Sequence, residues 1–429
     1  MTEKNAWYEQ DFIKNLMSMM GGKSIRGMMA NFIAGRIYAG KMALSSVRGY
    51  LKANLNKEDR RILIITDPFT KRFVGLITKH LDLIDNIEYR FWAGVEPEAP
   101  LNLVSEGVKI CEEFKPKVLI AIGGGSVIDT AKLTLIKYEK PQQDLYMLIP
   151  FGSIGLRNKI KYLIAIPTTS GTGSEVTQAA VATDITKVPP KKFEVASPEI
   201  VPDIVILDTD FVKNMPPFLT MATGLDAFAH SMGSYVSNWG SPLIDALNTT
   251  AIKEVLKYLP RAYKYGNKDL EAREHMQMAA LIAGLGFGNS VAGIEHSLGH
   301  SFGKIFKVHH GLSVGMFIVY SIAFQAKITN RWIDLCPIFN IKNKDKNREE
   351  LLKEFCHAIK NFIYSIDGII CVKEIKKPII TKEDYFNKID LLADYADKDA
   401  LSLTSFRPVN IEVYRKIFEY AWDGRDIDF

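Results

Sequence analysis

A chain of 429 residues is too long for one ordinary core, so at least two domains are expected. Its 47% hydrophobic and 24% charged residues are those of a soluble globular protein, and a net charge of +5, from 54 basic against 49 acidic residues, gives no stripe for nucleic acid. No apolar run reaches the roughly 18–20 residues that span a bilayer, the N-terminus lacks the order of a signal peptide, and four scattered cysteines without a CxxC fit a reducing cytoplasm.

In chain order, residues 12–20 have the pattern of a short amphipathic helix, suited to packing on the body or on a second subunit. From about Arg60 to Phe211, apolar runs alternate with helical patterns. "RILIITD" (61–67), "KVLIAIGGG" (117–125), "KYLIAIPTT" (161–169) and "DIVILDTD" (203–210) are apolar throughout. Unbroken apolarity means burial on both faces, the habit of parallel strands covered by helices such as Leu101–Phe114 and Ser126–Lys137. The reading is an α/β N-terminal domain with an open, mostly parallel dinucleotide-binding sheet, whose ligands sit beyond the carboxyl ends of the strands. After "NMPPFLT" (214–220) clear strands vanish, and helical patterns run through Gly311–Gln325, Arg348–Ile366 and Glu412–Trp422. The expected division is an N-terminal extension (1–33), the α/β domain (34–213) and an all-helical metal-binding domain (214–429), with a ligand cleft between the domains.

Three loops follow three of these strands. "LIAIGGGSVIDTAK" (119–132) is strand, triple glycine, helix; Ser126 stands where the helix begins, and the free N–H groups there make an anion site. Equally, it reads as a tight turn capped by Ser126. Asp67 ends "RILIITD", where an acid can accept hydrogen bonds from a ribose diol or cap a turn. "IPTTSGTGSEVT" (166–177) offers neutral donors to sugar and phosphate oxygens. Together the three point to a nucleotide.

The histidines point to a metal. Asp226 and His230 are four apart on a helix-patterned apolar stretch, so carboxylate and imidazole share a face. His296 and His300 repeat that spacing, and His310 follows just ahead of Gly311. Six of the eight histidines lie between residues 230 and 310, and so many imidazoles are costly to bury without partners. One carboxylate with two or three imidazoles suits Fe(II), Zn(II), Co(II) or Ni(II), and not magnesium or calcium.

In this order, GGGSVIDTAK, PTTSGTGSEVT, NMPP, GLDAFAH, the double-histidine segment and "LSLTSFRPVNIEVYRKIFEYAW" (401–422) resemble the iron-containing (group III) alcohol dehydrogenase family, from about residue 34 onward. The resemblance implies metal ligands at Asp226, His230, His296 and His310, with His300 as the catalytic, non-ligand histidine that relays a proton. For the cofactor it implies Asp67, Gly124, Gly125, Ser126, Thr168, Thr169, Thr177 and Lys192. An acid at Asp67 would repel a 2′-phosphate, which favours NAD over NADP. Fe(II), alternatively Zn(II), follows from the family, as do a small alcohol or aldehyde substrate and a homodimer or larger homo-oligomer. Phe287 resembles a pocket residue, His309 is extra, and Glu98 stands where the family often shows asparagine. The alternatives are a glycerol-dehydrogenase or dehydroquinate-synthase type of metalloenzyme with this fold, and a non-redox metal-dependent hydrolase or lyase.

Overall fold

The computed structural model describes residues 6–19, 32–150, 152–188, 190–343 and 346–429. Residues 1–5 and 20–31 of the extension expected over 1–33 therefore lie outside the described residues, as does the last position of the helix expected over 12–20. Within them, helix α1 spans Asp11–Met19 and lies against the turn Ala400–Thr404. Contacts divide the chain into two compact units at Asn214/Met215, with α1 belonging to the second.

The first unit holds strands β1 (Arg36–Ala39), β2 (Arg61–Thr66), β3 (Glu88–Trp92), β4 (Val118–Gly123), β5 (Tyr162–Pro167), β6 (Ala179–Asp184), β7 (Lys191–Ala196) and β8 (Ile204–Leu207). Helices α2 (Ala43–Asn54), α3 (Val74–Leu81), α4 (Leu101–Phe114) and α5 (Gly125–Glu139) alternate with them. Six strands form one sheet in the order β1-β8-β5-β4-β2-β3, every pairing parallel, while β6 and β7 form a separate antiparallel hairpin. Successive side chains of a strand point to opposite faces, and both faces here are covered. Ile62, Ile64, Ile120, Ile122, Ile164 and Ile166 meet α2 and α3 on one side. On the other, Leu63, Ile65, Leu119, Ala121, Leu163 and Ala165 meet α4 and α5. That two-sided burial is why these strands read as unbroken apolar runs. At the amino ends of β2 and β5, two cations take carbonyls from the ends of α4 and α5: Arg61 Nε donates to Lys115 O at 3.0 Å, and Lys159 Nζ to Tyr138 O at 2.7 Å.

The second unit is helical: α6 (Pro217–Val236), α7 (Pro242–Tyr265), α8 (Leu270–Gly288), α9 (Ile294–Phe306), α10 (His310–Gln325), α11 (Arg348–Tyr364), α12 (Lys382–Asn387), α13 (Ile389–Asp397) and α14 (Ile411–Ala421). Pro217 opens α6, where its missing N–H costs nothing. Asn347 and Glu350 cap α11 reciprocally. Both α6 from Thr220 onward and α10 from Gly311 onward are buried on all sides, so they form the centre of one continuous core. The two approach so closely that a Cβ on Gly311 would lie 2.0 Å from the Ala222 carbonyl oxygen.

That contact is rigid backbone against backbone. Gly311→Ala is expected to lower the unfolding free energy of this unit by about 1–3 kcal/mol, as overpacking does, read as a shift of the urea midpoint. An unchanged midpoint would show that α6 and α10 separate without cost.

Candidate functional site

Three helices of the second unit deliver the histidines. Asp226 and His230 lie one turn apart on α6, His296 and His300 one turn apart on α9, and His310 opens α10. Asp226 (2% exposed), His230 (5%) and His296 (2%) are buried, whereas the His310 side chain is 38% exposed. Three ring nitrogens converge on one carboxylate oxygen, Asp226 Oδ1: His310 Nε2 at 3.2 Å, His296 Nε2 at 3.6 Å and His230 Nε2 at 3.9 Å.

None of these contacts serves as a hydrogen bond. Asp226 Oδ1 and His296 Nε2 are both buried without a hydrogen-bond partner, a costly condition for polar atoms. The spacing instead suits ligands of a shared cation. With metal–ligand distances of about 2.1 Å, neighbouring ligands in octahedral or tetrahedral geometry sit about 3.0–3.5 Å apart. Donor atoms of Asp226, His296 and His310 all lie within 4.8 Å of one another. The residues present therefore fit a divalent metal of the nitrogen- and oxygen-binding kind. Burial alone would raise the Asp226 carboxyl pKa, but the imidazoles of His230, His310 and His296 hold it well below the usual range. For His296, burial opposes protonation while Asp226 and Glu295 favour it, and the balance pushes the ring up to about 9. The centre attracts positive charge.

Two carboxylates that the sequence reading did not single out orient the rings. Glu295, 1% exposed, accepts the Gly293 N–H at 2.8 Å and the Ser321 hydroxyl at 2.7 Å. Its Oε1 also lies 3.1 Å from His296 Nδ1. With a proton held on Nδ1, Nε2 on the Asp226 side is the nitrogen that a metal would take in exchange for its proton. Gly233 makes room for this acid, since a Cβ there would lie 2.0 Å from Glu295 Oε1. Asp399 does the same for His300, with Oδ2 2.8 Å from His300 Nδ1 and Oδ1 accepting from Ser297 Oγ (3.2 Å) and Leu401 N (3.0 Å). The His300 ring stands 5.1 Å from His310 and 5.9 Å from His296, beside the cluster, and burial draws its pKa below the ordinary value. Phe287 stacks on His230 at 3.8 Å and fixes that ring, while the exposed His309 meets only the edge of Phe218 among the described ring contacts. Glu295 adjoins His296 in "GIEHS", a signal in plain sight; Asp399, 99 residues from His300, gave none.

In the first unit the loop residues sit at the carboxyl ends of three neighbouring strands, β2, β4 and β5. Asp67 Oδ1 accepts the Phe69 and Thr70 N–H groups at 2.7 and 2.8 Å, so one of its oxygens caps the turn after β2. Gly124 precedes α5 with no side-chain cap, and Gly125 and Ser126 form the helix's first residues. Thr168 N donates to Gly123 O at 3.0 Å, which ties the β5 loop to the end of β4. Thr169 faces Gly124, and its hydroxyl is buried without a hydrogen-bond partner. Uncapped helix N–H groups beside an unsatisfied hydroxyl fit the phosphate oxygens of a nucleotide.

Two residues behave differently. Thr177 is 3% exposed and its hydroxyl is taken by Lys132 Nζ at 3.1 Å. Lys192 on β7 pairs with Glu98 Oε1 at 3.1 Å, so to meet a phosphate it must exchange partners. Glu98 and Ala99 both have left-handed backbone, φ 70° and 44°, and the Glu98 N–H donates to Ser126 Oγ at 3.0 Å. Such strain at non-glycine residues gathers at functional sites.

The role of Glu295 can be read directly. Glu295→Gln should weaken binding of Zn(II) or Fe(II) by about 10–100-fold, as loss of an outer carboxylate does at histidine–metal sites. Titration against a chelator measures it, and wild-type affinity would remove Glu295 from the account.

Comparison with known proteins identifies the family. Residues 34–209 match the family model described as iron-containing alcohol dehydrogenase, and residues 220–422 match that of the Fe-containing alcohol dehydrogenase family, C-terminal. The chain is 34% identical over 398 residues to an NADPH-dependent butanol dehydrogenase from Clostridium saccharobutylicum, covering 92% of this chain and 98% of that one. Among solved structures it is similar to an alcohol dehydrogenase from Oenococcus oeni, with TM-score 0.83, 26% identity and 92% and 100% of the two chains covered. An iron-containing alcohol dehydrogenase from Thermococcus thioreducens is also similar, with TM-score 0.80, 27% identity and the same two shares. Matches over both units, together with this kinship along almost the whole length, show that the chain belongs to the iron-containing alcohol dehydrogenase family and is an oxidoreductase acting on CH–OH groups.

Proposed function

We propose that the protein moves a hydride reversibly between a short alcohol or its aldehyde and NAD(H), at a divalent metal held by Asp226, His230, His296 and His310. The observation that carries this reading is the convergence of three imidazole Nε2 atoms on the orphaned Asp226 Oδ1. When bound, the metal supplies Lewis acidity for the oxygen of the reacting alcohol or carbonyl. The dinucleotide supplies the hydride donor or acceptor.

The chain's own residues do the rest. Glu295 holds a proton on His296 Nδ1, so Nε2 stays available as a ligand. Asp399 holds His300 through Nδ1, leaving the His300 Nε2 to take the alcohol proton or return it. With its pKa drawn down, that imidazole is neutral near pH 7 and able to accept. Phe287 keeps the His230 ring in place and screens it from water. In the first unit, the start of α5 and the Thr168–Thr169 corner cradle phosphate, while Asp67 meets the ribose diol and disfavours a 2′-phosphate. The match named NADPH-dependent makes that last preference one to decide by assay.

A short aliphatic alcohol is the substrate class, in line with the butanol of that relative's name. Four buried, free cysteines suit the reducing cytoplasm. No helix among the described residues is long and apolar enough to cross a membrane. A homodimer or larger homo-oligomer is our reading of the assembly, and sedimentation tests it.

Protein stripped of metal and reloaded anaerobically with Fe(II) or Zn(II) should oxidise NADH in the presence of butanal or propanal, and the buffer-loaded control should not. His296→Ala and His310→Ala should lose metal and turnover together, by about a thousandfold, or several kcal/mol of lost charge stabilisation. Full metal stoichiometry in both variants contradicts the ligand assignment. Asp67→Gly should shift preference from NADH toward NADPH by about tenfold or more in the ratio of kcat/KM values; an unmoved ratio places discrimination elsewhere.

A further inference from the structure

Among the described residues, Lys132 is the most deeply buried cation of the first unit: its side chain is fully enclosed, two turns into α5 from the start of the helix. Burying an ammonium is expensive unless oxygens surround it, and here they do. Nζ lies 2.7 Å from Ala179 O, 2.9 Å from Thr177 O, 3.1 Å from Thr177 Oγ1 and 3.3 Å from Ser174 Oγ. One turn back on the same face, Asp129 accepts the Ser174 hydroxyl at 2.6 Å and the Val181 N–H at 3.0 Å. Glu175, 2% exposed, completes the charged set. Desolvation pulls the Lys132 pKa down to about 8, and Asp129 and Glu175 oppose it.

The placement matters more than the charge. Every partner of Lys132 and Asp129 named above lies in Ser174–Val181, the segment that closes the hydroxyl-rich loop after β5 and leads into β6. The first turn of α5 is one wall of the proposed phosphate cradle, and this loop is the other. A single helix thus presents its amino end to the ligand and, from its next turns, grips the loop that faces that ligand. A methionine would fill the same space but would leave Asp129, Glu175 and the oxygens around Nζ without their cation, so the site is built around charge and not around packing alone.

We infer that Lys132, supported by Asp129, is a positioning residue for nucleotide binding: it fixes the Ser174–Val181 end of the β5 loop against α5 before the dinucleotide arrives. This rests on the reading of that loop as part of the dinucleotide cradle. Without the grip, the loop must be ordered by the ligand, and the ordering cost appears in binding rather than in the chemical step.

The experiment compares wild type, Lys132→Met and Ser174→Ala as metal-loaded full-length enzymes. NADH binding is followed by its fluorescence, and turnover with a short aldehyde at varied NADH. In Lys132→Met the KM and Kd for NADH should rise about tenfold or more, with kcat at saturating NADH falling by much less. Ser174→Ala, which removes one partner from each of Lys132 and Asp129, should move the same way by a smaller factor, and it decides the matter if Lys132→Met does not fold. Unchanged NADH affinity in a folded variant, or a fall in kcat with KM unmoved, overturns the inference while leaving the proposed function intact. A wild-type enzyme that neither binds nor oxidises NADH or NADPH fails the functional reading itself, and this inference with it.

Discussion

An ionised carboxylate in the middle of an apolar helical core is the group around which the second unit is arranged. Asp226 sits on α6 among residues buried on every side, and water cannot compensate its charge. Three imidazoles from three helices do so only in part, because their nitrogens meet Oδ1 at 3.2–3.9 Å without hydrogen-bond geometry. On the function proposed here, a cation at the common focus would complete the arrangement. Much of the local sequence follows from that requirement. Gly311 lets α10 press onto α6 beside Asp226, and Gly233 admits Glu295, which in turn orients His296. Remove the carboxylate and the glycines, the buried glutamate and the stacked rings lose their common purpose.

The first unit solves a different problem with backbone rather than side chains. Parallel strands end together, and the loops after β2, β4 and β5 lie side by side because those strands are neighbours in the sheet. Orphan N–H groups at the head of α5 and the unpaired Thr169 hydroxyl offer polarity without charge, which suits a phosphate that must also leave. Charge is kept a layer deeper, on Lys132 and Asp129, or neutralised at the rim by the Glu98–Lys192 pair.

How far the sequence discloses this depends on whether the cause of a feature is local. β2, β4, β5 and β8 are legible as strands because burial on both faces leaves unbroken apolar runs. β1 and β3 escape notice because they are sheet edges with mostly exposed residues, and the β6–β7 hairpin mixes lysine, glutamate and small residues. Helices α10, α11 and α14 fall within two residues of their expected ends: α11 and α14 carry local periodicity and an asparagine cap, while α10 shows as one long apolar run. The histidine cluster shows through density and i, i+4 spacing. Asp399 does not, because only tertiary folding brings it to His300. Asp67 illustrates a limit of another kind: the sequence allows either a ribose acceptor or a turn cap, and one of its oxygens performs the second role without excluding the first. For Thr177 the family resemblance suggests a cofactor contact, whereas the structure turns its hydroxyl inward to Lys132, which the residue pattern could not reveal.

The most direct measurement is an anomalous-difference map from crystals of the metal-loaded protein, collected on either side of the iron or zinc edge. A single strong peak about 2.0–2.2 Å from Asp226 Oδ1 and from Nε2 of His230, His296 and His310 is the result this account predicts. A peak elsewhere, or no peak in crystals of enzyme that turns over at full rate, would contradict it.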